Sequence, residues 1–472
     1  MQFTVFVAIT AAIAAITWWQ CRKVPRNRDD NTEYFLAGRG LAWYFIAGSI
    51  TLTNLSTDQL VGMNGNQMLL LAWWEIAAVA GLLILAGVFV PIYYRYQCTT
   101  TTELLEKRYG NARLRSLVSI LFLLGNVFLY LPIMLYTGSL FLQSMFGLDI
   151  DTVVIAAGLA LLGSSYAIFG GLRAVAVSDT ISGIGLLTLS LLIVWLALQA
   201  ISFDFSGIPA ERLTLVGGPD SPIPWPTLFT GMIFIQIFYW STNQTITQRA
   251  MAAPNVREAQ KGVLAAAAIR LLIVPAIIVI PGVCAFKLYG DIGDATYGRL
   301  VADLLPGWLS GTFAAMMVAA VLTSFNSVLN SSTTLYVMDL HEPMVNPKAN
   351  VHRLNIVVSL VFVAAAVALV PVYDGAESII NLVQQLNGLL SMPILSVFIV
   401  GLVFTNVAPA AAGIALLSGV ALYSTFTFVW TPLHYIHLMA ITLAFCLATA
   451  LLTNRVVFGR RAQLTDPRNL FA

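Results

Sequence analysis

The sequence contains few charged residues. Asp, Glu, Lys and Arg together make up only 10% of its 472 residues, whereas 58% are hydrophobic and the mean hydropathy is +0.84. Soluble globular domains carry about 25% charged residues. This shortage excludes a soluble domain and predicts a polytopic membrane protein surrounded by a lipid bilayer. We expect no nucleic-acid partner.

Cysteine and histidine are also scarce, with four of each. The cysteines form no CxxC or metal-ligand pair, which excludes a disulfide framework and a zinc site: Cys21, Cys98, Cys284 and Cys446. The histidines form no HExxH-like or triad pattern, so we do not expect an enzyme: His341, His352, His434 and His437. No GxxxxGKS motif is present, which argues against transport driven by ATP.

Long apolar stretches, by contrast, are abundant. About 20 apolar residues in a helix cross a hydrocarbon core of about 30 Å, and lipid offers the backbone no partners, so each stretch should be helical. The predicted spans are 2–19, 41–65, 69–94, 117–144, 151–170, 177–200, 226–247, 262–286, 305–337, 354–372, 377–404, 408–430 and 435–453. We therefore predict an all-α protein with about 13 transmembrane helices.

Basic residues mark one side of this membrane topology. Alternating the loops across the bilayer places 20 of the 24 Lys and Arg residues on one side, which should be cytoplasmic. The other side receives Arg212, Lys287 and Arg299, and Arg270 falls inside a span. We expect a plasma (inner) membrane location, with the N-terminus outside and the C-terminus cytoplasmic. The first apolar stretch lacks a basic n-region and a cleavage site, so we expect a retained helix.

Polar side chains are concentrated in a few spans. In "LTSFNSVLNSS", Thr323, Asn326, Ser327 and Asn330 follow i, i+3, i+4, i+7 spacing, which places them on one helix face. Isolated Ser and Thr residues usually bond to their own helix, but this cluster exceeds what packing requires. Neutral oxygens suit a hard cation, whereas a transition metal prefers thiols or imidazoles. The pattern favours a sodium site.

The second span contains the polar run "TNLSTDQLVGMNGNQ". Its Asn, Ser and Asp side chains compete with the helix for backbone hydrogen bonds, and Gly62 and Gly65 weaken the helix further along. We expect this span to unwind around Leu52 to Ser56 and to free carbonyl groups for an ion. Asp58 has two open interpretations, as an electrostatic support for the ion site or as a cap of the half-helix.

Amide, acid and aromatic groups in other spans favour a polyhydroxylated neutral ligand. They are Gln59, Glu75, Gln236, Gln384, Tyr239 and Trp240. An alternative is a polar network that only holds helices together, in which Glu75 and Arg270 neutralise one another.

Four segments together resemble the solute:sodium symporter family, especially its bacterial sodium/galactose-type sugar cotransporters. They are "EYFLAGRGLAWYFIAGSITLTNLSTDQLVGMNG", "IFGGLRAVAVSDTISGIGLL", "FYWSTNQTITQRAMAAPNVREAQKG" and "FAAMMVAAVLTSFNSVLNSSTTLYVMDL". The resemblance implies the leucine-transporter fold, with two inverted repeats of five helices that each open with a discontinuous helix. Residues 1–40 would hold a peripheral helix and a cytoplasmic loop, 41–200 the first repeat, 201–405 the second repeat with an external loop at 201–225, and 406–472 two peripheral helices and a tail.

The resemblance also assigns site residues. A first sodium site would use Leu52, Leu55, Ala320, Thr323 and Ser324. A second sodium, bound by some relatives, would use Asp179, Thr323, Asn326 and Ser327. The substrate-binding positions would be Gln59, Glu75, Gln236, Arg270 and Gln384. Tyr239 would form the inner gate, and Met63, Trp74 and Ile380 the outer lid.

Several positions depart from the sugar-transporting pattern. Gln236 replaces an Asn, Arg270 replaces a Lys, Ala78 replaces a Ser, and Asn326 replaces a Ser of the two-sodium relatives. Arg and Lys are not interchangeable donors, so the preferred sugar stereochemistry should differ from galactose. The expected function is sodium-coupled import of a neutral sugar or polyol. The alternative within transport is a symporter for an acidic or amino solute, and the alternative outside transport is a sensor or a channel. The sequence leaves open the number of sodium ions and the oligomeric state, which includes a monomer.

Overall fold

The computed structural model describes residues 2–22, 36–55, 57–346, 350–374, 378–431, 433–466 and 468–471. Ser56 and the loop 23–35 of the sequence predictions lie outside these ranges. Helices account for almost all the described secondary structure, as expected for an all-α membrane protein.

Nine α-helices lie in the described part of the first half of the chain. They are α1 (Gln2–Arg22), α2 (Trp43–Asn54), α3 (Thr57–Gly65), α4 (Trp73–Ile84), α5 (Val90–Arg95), α6 (Thr101–Tyr109), α7 (Ala112–Gly125), α8 (Leu131–Phe146) and α9 (Thr152–Ala200). The π-helical segments Leu85–Phe89 and Asn126–Tyr130 join α4 to α5 and α7 to α8. Short 3-10 turns cover Ala37–Arg39 and Leu69–Ala72.

The second half continues with α10 (Ala210–Leu213), α11 (Gly231–Ile237), α12 (Gln244–Met251), α13 (Val256–Leu272), α14 (Val274–Tyr289), α15 (Thr296–Leu304), α16 (Gly307–Leu335), α17 (Glu342–Met344), α18 (Val351–Leu369), α19 (Ile379–Val403), α20 (Pro409–Ser424), α21 (Tyr435–Val456) and α22 (Arg468–Phe471). Further π segments are Phe238–Thr242, Tyr336–His341 and Thr425–Val429, and further 3-10 turns are Trp225–Phe229, Gly293–Ala295 and Val370–Tyr373. Two short strands, β1 (Phe404–Thr405) and β2 (Gln463–Leu464), pair antiparallel.

Nine helices within the described ranges are long and apolar enough to cross a membrane. The other predicted spans fall on α1, on the interrupted pairs α2–α3 and α11–α12, and on the first part of α9. The two spans predicted at 151–170 and 177–200 are not separated by a break, because α9 is one helix of 49 residues. At 1.5 Å per residue it measures about 73 Å, more than twice the hydrocarbon thickness.

Two predicted spans are interrupted helices. The α2 helix ends at Asn54, and Leu55 leaves the helical region with φ −83° and ψ 77° before α3 begins at Thr57. The expected unwinding of the second span is confirmed, at the end of the predicted segment. In the seventh span, Asn243 is extended with ψ 124° between a π segment and α12, and its side chain accepts a hydrogen bond from the Thr245 N–H at 2.9 Å.

The helix α3 is fastened to α14 through one side chain. Pro281 lies inside α14, where a proline cannot donate to the carbonyl of Ile277. The Asn64 amide donates to that carbonyl at 3.2 Å, and its oxygen accepts from the Gly282 N–H at 2.8 Å. A Cβ on Gly282 would overlap the Asn64 backbone, so glycine is required for this close approach.

A buried carboxylate joins elements at the other end of α16. Asp339 is fully buried and accepts hydrogen bonds from Thr100 Oγ1 at 2.9 Å, from Arg115 Nε at 2.8 Å and from the Ser119 hydroxyl. Arg115 also pairs with Glu106 at 2.7 Å. The network connects α6, α7 and the π segment that follows α16, so its loss should weaken the packing of all three.

We expect Asp339→Asn to lower stability by about 3 kcal/mol, because Arg115 loses its buried carboxylate partner and keeps only the more exposed Glu106. The thermal unfolding midpoint of the detergent-purified protein would measure this. Glu258→Gln is the matched control, since Glu258 pairs with Lys261 at 2.8 Å on the exposed surface and exposed pairs contribute less than about 1 kcal/mol. Equal midpoints for the two variants would contradict a structural role of Asp339.

Candidate functional site

The break between α2 and α3 lies against α16. The carbonyl oxygen of Leu52, just before the break, accepts a hydrogen bond from Ser324 Oγ at 3.1 Å. One residue earlier in α16, Thr323 Oγ1 donates to the carbonyl of Ala320 at 3.1 Å. These residues and Leu55 are buried.

The five residues expected for a first sodium site are thus on two facing segments. Two carbonyl groups, those of Leu52 and Ala320, are each bonded to one of the two hydroxyls, those of Ser324 and Thr323. Hydroxyl and carbonyl oxygens both carry lone pairs that a hard cation accepts. These four oxygens are therefore of the type that a hard cation between the two segments could bind, once the two hydroxyl groups turn their hydrogens away from the carbonyls.

The residues expected for a second sodium lie beside the first set. The Ser49 hydroxyl donates to Asp179 Oδ2 at 2.5 Å and accepts from Arg249 Nε at 2.9 Å. Among the described residues, Asp179 Oδ1 and both amide atoms of Asn326 are buried without a hydrogen-bond partner. Ser327 donates to the Thr323 carbonyl at 2.7 Å. Buried polar atoms are nearly always satisfied, so these acceptor oxygens point to a missing partner.

A cavity of about 490 Å³ opens beside the broken helix. Seven of the expected substrate and gate residues line it: Gln59, Trp74, Glu75, Gln236, Tyr239, Ile380 and Gln384. Two expected residues, Arg270 and Met63, do not. Gln59 Oε1 is buried with no hydrogen-bond partner among the described residues, so the cavity offers a free acceptor.

Arg270 lies behind the cavity wall. It is fully buried, forms an ion pair with Glu75, and donates to the Thr51 carbonyl at 3.0 Å. Its guanidinium stacks on the Trp240 ring at 4.3 Å, which is within cation–π range. The sequence-based expectation of neutralisation between Glu75 and Arg270 matches this geometry, whereas direct contact of Arg270 with the cavity is not observed.

The same wall continues through a chain of hydrogen bonds. Trp240 Nε1 donates to Gln236 Oε1 at 2.9 Å, and Gln236 Nε2 donates to the Trp74 carbonyl at 2.8 Å. A Cβ on Gly81 would overlap the Gln236 backbone, so α4 and α11 approach closely here. This chain of hydrogen bonds ties α4 to α11 at the residue before Glu75.

The expected lid residues Met63, Trp74 and Ile380 are all buried, with exposed fractions of at most 4%. Ile380 packs against Gly62, whose added Cβ would lie 3.1 Å from Ile380 Cβ. This end of the cavity is covered.

A loop residue holds the covered end together. Asp294 accepts a hydrogen bond from the Ile379 N–H at 3.1 Å, at the start of α19, and a Cβ on Gly65 would overlap it. Burial raises the pKa of Asp294 to about 6, although the hydrogen bond from Ile379 opposes the shift. The ends of α3 and α19 are thereby joined through one loop.

At the opposite end, the ring centroids of Tyr239 and Tyr130 are 6.4 Å apart. A second, mostly apolar cavity of about 310 Å³ lies beyond them and shares Tyr130 and Asn387 with the first. Tyr239 and these two residues separate the two spaces.

Sequence reasoning missed part of the cavity lining. Asn387 follows Ile380 and Gln384 with i, i+4, i+7 spacing, a signal that could have placed it on the same face. Tyr130 was not singled out by the sequence, because the polar residues of its span are scattered and form no run such as that of the second span. Asp58, left open by the sequence, lines the cavity from the first turn of α3.

Comparison with known proteins identifies the family. The model of the sodium:solute symporter family matches residues 34–419. The chain is 36% identical over 475 residues to "Uncharacterized symporter YidK" of Escherichia coli (strain K12), covering 95% of this chain and 82% of that protein. It is 28% identical to the sodium/glucose cotransporter of Vibrio parahaemolyticus, covering 96% and 89%. It is 29% identical to the human sodium/myo-inositol cotransporter 2, covering 89% and 69%.

Solved structures share the architecture. A Na+-coupled sialic acid symporter in a substrate-bound outward-open state matches with a TM-score of 0.83 at 18% identity, covering 98% of this chain and 99% of that one. MhsT in complex with L-phenylalanine matches with a TM-score of 0.52 at 16% identity, covering 86% and 97%. At these identities the likeness shows the fold, which is the leucine-transporter fold that the sequence predicts. With the family model covering most of the sequence, the chain belongs to the sodium:solute symporter family.

Proposed function

We propose that this sodium-coupled symporter imports a neutral sugar or polyol of about hexose size. The observation that carries the proposal is the pairing of Arg270 with Glu75 behind the cavity wall. The described lining contains amides, tyrosines and the carboxylates of Asp58 and Glu75, and no Lys, Arg or His. Such a surface offers donors and acceptors to hydroxyl groups and gives an anion no positive partner.

Relatives of this chain support the same solute class. Those reported above include cotransporters of glucose and of myo-inositol, which are both neutral polyhydroxylated molecules. The alternative is an acidic or amino solute. It is supported by the Na+-coupled sialic acid symporter that shares the fold. A carboxylate substrate would have to displace Glu75 from Arg270 in a site that already contains Asp58.

In this proposal, sodium binds between the α2–α3 break and α16, at Leu52, Leu55, Ala320, Thr323 and Ser324. By linkage, the ion raises solute affinity and the solute raises ion affinity. A second ion at Asp179, Thr323, Asn326 and Ser327 would exploit the buried acceptors there, so the stoichiometry is one or two. Each sodium that moves inward down the potential contributes about 2.3 kcal/mol per 100 mV.

The solute would contact Gln59, Glu75, Gln236 and Gln384, with Arg270 orienting Glu75 from behind. Met63, Trp74 and Ile380 would then cover the bound solute, and the solute would leave past Tyr239. These steps would accompany the movement of the two proposed repeats, 41–200 and 201–405, against each other in alternating access. The chain would act in the plasma (inner) membrane, with its N-terminus outside and its C-terminus cytoplasmic.

Proteoliposome uptake tests the function directly. We expect labelled hexoses or inositol to accumulate when an inward sodium gradient is imposed and not when sodium is equal on both sides. Sialic acid, proline and a monocarboxylate serve as the comparison solutes. Uptake of these alone would refute the neutral solute, and uptake without a gradient would refute sodium coupling of the solute tested.

Removing the two hydroxyls at the proposed first ion site tests that assignment. We expect Thr323→Ala/Ser324→Ala to raise the sodium concentration for half-maximal uptake at least about tenfold, a loss of about 1.4 kcal/mol. The control is Ser310→Ala, because Ser310 is buried on the same helix and donates only to the Gly307 carbonyl, at 3.1 Å. An unchanged sodium dependence in the double variant would remove this site from the proposal.

The role of Arg270 can be tested by neutralising the pair. Glu75→Gln alone should reduce folded protein strongly, since loss of one partner of a buried ion pair costs about 3–5 kcal/mol. Glu75→Gln/Arg270→Gln should recover most of the thermal stability while solute affinity stays low. A different result would contradict this role: acidic solutes inhibit uptake by the wild type, and Arg270→Gln abolishes that inhibition. Arg270 would then bind the anion directly.

A further inference from the structure

We infer that the Tyr130 hydroxyl binds one hydroxyl group of the transported solute, together with the carboxylate of Asp58, and so helps to select the sugar or polyol. This inference rests on the proposed function, because it names a contact within the same cavity.

The first observation is the hydroxyl of Tyr130. This oxygen is buried and has no hydrogen-bond partner among the described residues. The side chain lies at the end of the π segment Asn126–Tyr130 and lines the solute cavity. A phenol in a buried position normally finds a partner, because an unsatisfied group costs about 1–3 kcal/mol. The cavity is the place from which that partner can come.

The second observation is the position of Asp58. Asp58 lines the same cavity as Tyr130 and Tyr239. A tyrosine hydroxyl can donate or accept, whereas an ionised carboxylate only accepts. A solute hydroxyl that donates to Asp58 can at the same time accept from Tyr130. Neutral polyols present such hydroxyls, and a carboxylate-bearing solute would be repelled at this end of the cavity.

The two residues belong to different parts of the fold. Asp58 is in the first turn of the half-helix α3, directly after the break, whereas Tyr130 lies between α7 and α8. A solute that bridges them joins the broken helix to a helix of the surrounding scaffold. Tyr130 also separates the solute cavity from the second cavity, so this contact is made at the boundary that the solute has to cross.

Packing alone would make a different prediction. If Tyr130 served only as an aromatic partner of Tyr239, phenylalanine would preserve the contact between the rings. If Asp58 acted only on the helix dipole at the start of α3, asparagine would weaken the helix slightly and leave the set of accepted solutes unchanged. Removing the hydroxyl of Tyr130 or the charge of Asp58 therefore distinguishes a role in solute binding from a role in packing or in helix stability.

The test measures sodium-driven uptake of the accepted solute and of its monodeoxy analogues, each lacking one hydroxyl. For Tyr130→Phe we expect the KM to rise about tenfold, the effect of one lost hydrogen bond, with an unchanged maximal rate. With the wild type, one deoxy analogue should have a KM about tenfold higher than that of the full solute. With Tyr130→Phe, the same analogue and the full solute should have equal KM values. Tyr136→Phe is the control, because Tyr136 lies on α8 outside the cavity lining and its hydroxyl contacts Asp374 at 3.4 Å.

Asp58→Asn should show the same pattern, with the loss confined to the same solute hydroxyl and with unchanged sodium half-saturation at saturating solute. Identical analogue profiles for Tyr130→Phe and the wild type, or a fall in maximal rate alone, would overturn the assignment of Tyr130. A change of sodium dependence alone would overturn that of Asp58. Failure of the proposed function would appear earlier, as a wild type that takes up no polyol, and would refute this inference with it.

Discussion

The carbonyl oxygen of Leu52 lies just before a break in its helix and has to find a donor inside the protein, because lipid supplies none. Ser324 provides it from α16. The same constraint applies wherever the helices are interrupted: Asn243 satisfies backbone near the second break, and Asn64 satisfies backbone around Pro281. The helix interruptions are therefore stable only where a polar side chain, from the same segment or from another element, lies at the right depth. This requirement places the broken helix and α16 together and brings the ion-binding atom types to one point.

The same constraint governs the charged groups. Arg270 and Glu75 are both fully buried, so each requires the other, and the stacking of Arg270 on Trp240 reduces the cost further. With this pair neutral, the chemistry of the cavity is set by amides, tyrosines and Asp58. The proposed preference for neutral solutes thus rests on the partner that Arg270 takes, more than on the presence of an arginine in the sequence.

The sequence shows which polar residues are present but not which contacts they make, and this difference determines how much of the site could be predicted. Clusters such as Thr323, Asn326 and Ser327 were predictable, because lipid penalises polar groups and their spacing defines a face. The break after Asn54 was predictable for a related reason, since its side chains compete with the helix. The orientation of Arg270 and the place of Tyr130 depend on packing between distant helices, which no local pattern encodes. Likewise, composition could not show that α9 continues through residues 171–176.

The attachments of α3 locate the movable point of the site. Its C-terminal part is fastened to α14 through Asn64, and Gly65 packs against Asp294, which also holds the start of α19. Its N-terminal end has no continuous ladder to α2, because Leu55 is not helical. A change of angle between α2 and α3 would therefore concentrate at Leu55, close to the Leu52 carbonyl. Asp58 and Gln59 follow within the first turn of α3 and line the cavity, so an ion bound at the proposed site would fix the position of both side chains. In the proposed transport cycle, sodium and solute would thus be coupled through the first turn of one half-helix.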